Sequence, residues 1–175
     1  MTRHKYILIL ILASVISLAY YVPHYGLIYD GGLYASLGYS LVNGNGYYFN
    51  GYPGDVPPIL PLFLALFIGI FGENGIYLVV PVFSIIHTII CFLILEKRVS
   101  KELAFLGSLY VFFTPIIFYD SINVIREIPL LTFVMASYLV FLWKDDSYKK
   151  HALLGVLIGI SFLTKSVGVV YTFPI

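Results

Sequence analysis

The chain has 175 residues, 60% of them hydrophobic and only 11% charged, with a formal net charge of +1. So little polar surface cannot cover that many apolar side chains, which excludes a soluble globular body and leaves a membrane protein. The near-neutral balance, with no basic cluster interleaved with aromatics, excludes nucleic acid as a partner.

After the basic start "MTRHK", an apolar run covers residues 6–22. It exceeds the roughly 7 to 15 residues of a signal-peptide core and no small-residue cleavage site follows, so it reads as a retained anchor helix. Next comes "LIYDGGLYASLGYSLVNGNGYYFNGYPGDVPP", whose only charges are Asp30 and Asp55. Leu33, Leu37 and Leu41 recur every four residues, which predicts a short interfacial helix with Asp30 just before it and Gly44 just after. The glycines of "NGNGYYFNGYPG" predict irregular backbone, and the tyrosines near Asp30 read as interfacial belt residues rather than sugar-stacking platforms. Further apolar runs cover 56–72, 75–95, 103–119, 128–143 and 152–164, the last resuming after Lys165. Cys91 and His87 lie within the third run. A lone cysteine excludes a disulfide framework, and mid-span His87 reads as a hydrogen-bonded packing residue.

Lysine and arginine decide the threading. If 56–72 crossed the bilayer, the loops "EKRVSKE" and "KDDSYKK" would fall on the side opposite "MTRHK". If it lies along the outer interface, or dips in and returns, then Arg3, Lys5, Lys97, Arg98, Lys101, Lys144, Lys149 and Lys150 are all cytoplasmic, eight of the ten basic residues. The sequence therefore predicts an all-α, multi-pass transmembrane helical bundle in the cell membrane with no soluble domain. Its N-terminus is cytoplasmic, its spans are near 6–22, 75–95, 103–118, 128–143 and 151–172, and a long first outer loop, 23–72, contains interfacial helices.

This threading gathers Asp30, Asp55, Glu73, Asp120, Arg126 and Glu127 on the outer side. Glu96, Glu102, Asp145 and Asp146 fall in cytoplasmic loops among lysines, where they read as solvated turn residues. Two readings of Asp30 stand: a helix cap worth about 0.5 to 2 kcal/mol, or a partly desolvated carboxylate suited to general-base work. Arg126 reads on its position alone as half of a loop ion pair with Glu127 or Asp120, worth little. Lys165 lies deep in its span, where an ionisable group is a functional candidate unless it snorkels or ends the helix.

The succession of anchor helix, "YDGGLYASLGYSLVNG", "GYPGDVPPILPLFLALFIGIFG", basic turn, "FYDSINVIREIPLLTF", second basic turn and "LLGVLIGISFLTKS" resembles the N-terminal part of GT-C type membrane glycosyltransferases. It is similar to protein O-mannosyltransferases and lipid A aminoarabinose transferases. The resemblance implies a donor sugar carried on a polyprenyl phosphate within membrane lipid, an acceptor hydroxyl on the outer face, and inverting transfer. It assigns the catalytic base to Asp30. The second acid that the family often has beside the base is replaced here by Gly31 and Gly32. The family's acid, lysine, Pro, Pro element keeps its acid at Asp55 and loses its lysine at Val56, so the resemblance moves phosphate binding to Arg126, with Lys165 as a helper. Asp55 and Glu127 are expected to orient substrate or a divalent metal ion. The chain alone is expected to be catalytically incomplete, requiring a C-terminal portion or partner subunit. The rival classes are a non-catalytic membrane subunit and the front of a transporter, although no inverted repeat is visible.

Overall fold

The structure is a computed structural model that describes residues 2–22, 27–28, 30–144 and 146–168. Outer-loop positions 23–26 and 29, Asp145, and positions 169–172 of the expected fifth span lie outside the described residues. The architecture is all-α, as expected from the apolar runs. Eight helices follow in order among the described residues: α1 (Arg3–Tyr21), α2 (Gly31–Val42), α3 (Ile59–Phe71), α4 (Val79–Leu95), α5 (Lys101–Phe112), α6 (Pro115–Ser121), α7 (Glu127–Phe141) and α8 (Tyr148–Thr164). Two helical stretches of 19 residues, Arg3–Tyr21 and Ile59–Tyr77, are long and apolar enough to cross a membrane, and α5 with α6 makes a third if the 67° bend between them is one broken span. Helices α4 and α7 are shorter apolar helices.

Helix α4 is the hub, packing against α1, α5 and α7, while α8 packs on α7. At one end of this bundle Arg3 Nε meets Glu96 Oε1 at 2.8 Å, and the Tyr6 hydroxyl donates to Glu102 Oε1 at 2.7 Å. Glu96 keeps only 12% of its side chain exposed. Both glutamates thus tie helices together rather than acting as freely solvated turn residues, because the start of α1 folds back over the α4–α5 turn. Asp146 meets His151 at 2.9 Å but keeps 85% of its side chain exposed, a solvated turn residue as expected. Ser100 and Ser147 cap α5 and α8 by accepting from Leu103 N–H and Lys150 N–H.

At the opposite end, α2 and α3 pack closely on one another over a core of Tyr34, Leu60, Leu64, Ile68, Val79, Val80, Val124 and Ile128. The closeness depends on Gly38: a Cβ there would stand 2.9 Å from the Cβ of Leu64. The buried stripe of α2 is Gly31, Tyr34, Ala35, Leu37 and Gly38, with Leu33 and Leu41 at its margins. The four-residue leucine spacing located the helix but not the centre of its buried face, because glycine and alanine form the contact. The glycine-rich stretch contains a small antiparallel hairpin, β1 (Tyr48–Phe49) against β2 (Tyr52–Pro53), where irregular backbone was expected. Its turn is Asn50-Gly51, both at positive φ (50° and 83°), the pair that suits a two-residue hairpin loop.

The outward faces are apolar. Along α1, Leu8, Leu12 and Ile16 are exposed, and along α3, Leu62, Leu66 and Ile70 are exposed. Apolar stripes of this length suit contact with lipid tails. His87 is buried in α4, with Nε2 3.5 Å from Cys91 Sγ and Nδ1 without a partner, so it packs as expected but is only half satisfied.

Candidate functional site

The α2–α3 end of the bundle holds a cavity of about 440 Å³, lined by Asp30, Tyr34, Asp120, Arg126 and Glu127 together with Ile116, Tyr119 and Ile125. Three elements position these groups. Asp30 precedes α2, Asp120 sits in the last turn of α6, and Arg126 and Glu127 open α7.

Asp30 occupies the N-cap position, yet its side chain makes no capping hydrogen bond. Its Oδ2 instead accepts the Tyr34 hydroxyl at 3.3 Å, a long and therefore weak bond that leaves the carboxylate free to accept elsewhere. Gly31 matters here. A Cβ at this position would lie 3.1 Å from the Val124 carbonyl oxygen, so α2 docks tightly against the loop leading to Arg126. Of the two positions that stand where the resembling family often carries its second acid, position 31 is crowded by backbone. Gly32, by contrast, faces open space.

Arg126 forms no ion pair among the described residues. Its guanidinium lies over the Tyr34 ring, 5.1 Å from the centroid. The expected alternative, a loop pair with Glu127 or Asp120, does not form, because Glu127 Oε1 is taken by Lys165 Nζ at 2.7 Å. Lys165 is the C-cap of α8, so it ends that helix. It neutralises Glu127 from outside the cavity. A cation facing a cavity without a carboxylate partner has donor groups to spare, and a guanidinium offers them in a fork matched to phosphate.

The tyrosines do more than belt duty. Tyr34 is 1% exposed and joins Asp30 to Arg126, hydroxyl on one side and ring face on the other. Burial is the main reason its phenol is held well above the usual range, so it remains a donor at any working pH. Tyr47 donates to the Val56 carbonyl at 2.7 Å and feels the charges of both Arg126 and Asp55. Asp55 itself is exposed and does not line the cavity. Asp120 is 8% exposed, and burial, reinforced by the charge of Glu127, pushes its carboxyl up to about 6.

Sequence reasoning thus named Asp30, Arg126 and Glu127 as a set, and the fold brings them together, with Lys165 one ion pair away. It missed Tyr34 and left Asp120 in reserve. The signal for Tyr34 was available: it lies four residues after Asp30, one turn along the same helical face. Among the described residues no group of three or more His, Cys, Asp or Glu side chains is placed to hold a metal ion.

A family model described as dolichyl-phosphate-mannose-protein mannosyltransferase matches residues 55–175. The match includes Asp55, Asp120, Arg126, Glu127 and Lys165 and begins after Asp30. No curated relative and no solved structure matches the chain.

Proposed function

The chain belongs to the dolichyl-phosphate-mannose-protein mannosyltransferase family, membrane glycosyltransferases that draw on a lipid-linked sugar, and from that premise we propose that it moves a sugar from a polyprenyl phosphate to an acceptor hydroxyl. The observation that carries this reading is the unpaired Arg126 guanidinium facing the same cavity as the uncommitted Asp30 carboxylate. In the proposed reaction the acceptor oxygen attacks the anomeric carbon while Asp30 takes its proton. The bond from that carbon to the phosphate oxygen breaks, and its electron pair leaves with the phosphate. Arg126 stabilises the charge that grows there with charged donors already aimed at the cavity. Glu127, held by Lys165, orients the sugar, with Asp55 as a second orienting group. The single displacement inverts the anomeric centre.

The test uses membranes containing the complete protein and a polyprenyl-phosphate sugar labelled in the sugar. Label is expected on an acceptor hydroxyl in the opposite anomeric configuration. Retention of configuration, or no transfer from any such donor, would remove the reading.

The cavity is proposed to face outward, with the N-terminus in the cytoplasm of a cell-membrane protein. Helix α3 is then embedded at the outer edge without crossing. This is supported by the core that Leu60, Leu64 and Ile68 of α3 share with Val79 and Val80 at the start of α4 and Ile128 at the start of α7. Phe63, near its start, stacks edge-on with Phe83, about one turn into α4. The exposed leucines of α3 favour a dip into hydrocarbon over a position among headgroups. Cysteine scanning tests the threading, because the native Cys91 is buried and gives little background. An impermeant thiol reagent added outside is expected to label Asn45→Cys and to spare Val99→Cys and Tyr148→Cys, all at exposed positions that leave the capping serines intact. Outside labelling at Val99 would invert the arrangement.

A further inference from the structure

Asp120 has no place in the transfer step above, yet it is the most deeply buried carboxylate of the cavity and makes no hydrogen bond or ion pair among the described residues. Its carboxylate opens on the cavity, where water or a bound ligand completes it. The groups that face it are Asp30 and Tyr34 from α2, Tyr119 on its own helix, Arg126 and Glu127 at the start of α7, and Lys165 at the end of α8. With Asp120 ionised, three carboxylates face two cations, a sum of −1. With Asp120 protonated the sum is zero. An anionic ligand is received far better by the neutral set.

Resting on the glycosyltransferase reading, we propose that Asp120 is a second ligand of the donor: it takes up a proton as the phosphodiester enters, and donates the resulting O–H to that anion. The proton comes from solvent and no covalent bond changes. A carboxyl already pushed up to about 6 by burial and Glu127 is raised further when the phosphate charge arrives beside it. The direction of the pH dependence follows. Below about 6 the acid is protonated in both states and affinity is constant. Above it, the free site must bind a proton together with the donor, so affinity falls by up to about tenfold per pH unit until the higher value in the complex is reached.

The experiment is calorimetric titration of the complete protein in detergent with the methyl ester of a polyprenyl phosphate. This diester carries one negative charge throughout and does not itself titrate. At pH 7, in two buffers of different ionisation enthalpy, wild type is expected to take up most of one proton per ligand, and its affinity should weaken from pH 6 to pH 8. Asp120→Asn, a neutral hydrogen-bond donor of the same shape, should bind with no proton uptake and no dependence on pH. Should that variant not fold, Glu127→Gln serves instead: it removes the charge that raises Asp120, and the window of falling affinity should move to lower pH. Wild-type binding without proton uptake, or the same uptake in Asp120→Asn, overturns the inference and leaves the donor reading intact. Arg126→Ala separates the two, since undiminished binding by that variant overturns the phosphate reading itself. Absence of binding by wild type at every pH overturns both.

Discussion

Replacing Asp30 with asparagine is expected to slow sugar transfer by the complete protein about 10²- to 10⁴-fold, the usual cost of losing general-base help, while leaving the amount of folded protein in the membrane unchanged. Asparagine matches aspartate in size and is almost as good a helix cap. Here even that role is vacant, because the Asp30 side chain makes no capping bond. The amide oxygen can still accept the Tyr34 hydroxyl, so the local geometry survives. What the amide cannot do is take the acceptor's proton. Turnover measured against thermal stability in detergent separates the two roles. If Asp30→Asn keeps full turnover while Asp30→Ala melts earlier, the carboxylate is structural, and Asp55 or Asp120 becomes the candidate base.

The second large effect is expected at Arg126. Truncation to alanine removes the positive charge that meets the departing phosphate, and loss of one such preorganised donor typically lowers kcat about 10²- to 10³-fold. Stability should change little, because the residue makes no ion pair among the described residues and its stacking on Tyr34 is worth about 0.5 to 1 kcal/mol. Arg126→Lys keeps the charge but loses the paired, planar donors, so its rate should fall between wild type and alanine. Steady-state kinetics with a polyprenyl-phosphate sugar, alongside thermal denaturation of the same preparations, provides the check. Equal rates for the arginine, lysine and alanine forms would mean that the phosphate is held elsewhere.

Helices and lone charges were legible in the sequence for one reason: each is a local signal. The apolar runs gave the helix order, and a pair of isolated aspartates in a nearly uncharged stretch marked the outer loop as chemically unusual. Pairings were not legible. Nothing near Glu127 in the chain reveals that Lys165, 38 residues later, would take it and so release Arg126 from its neighbour. Nor does the run "FYDSIN" reveal that Asp120 is buried beside Asp30, since that depends on how α6 bends away from α5. Small residues mislead in a similar way. The leucines of α2 drew attention to one stripe, whereas the contact with α3 is made where Gly38 lets the two helices approach. Tyr34 was discounted on type, because a tyrosine near a membrane surface is most often a belt residue, and its burial and its place one turn after Asp30 are what distinguish it.

The tight seat of Gly31 against the Val124 carbonyl has a mechanical consequence. Asp30 and Arg126, the proposed proton acceptor and phosphate ligand, belong to segments more than ninety residues apart in the chain, and where those segments meet a glycine lies against a main-chain carbonyl. Interdigitated side chains can re-settle around a disturbance and absorb it, whereas a main-chain carbonyl against a glycine leaves less slack. In the proposed reaction this seat sets the spacing between Asp30 and Arg126, and a side chain added at position 31 would have to change it.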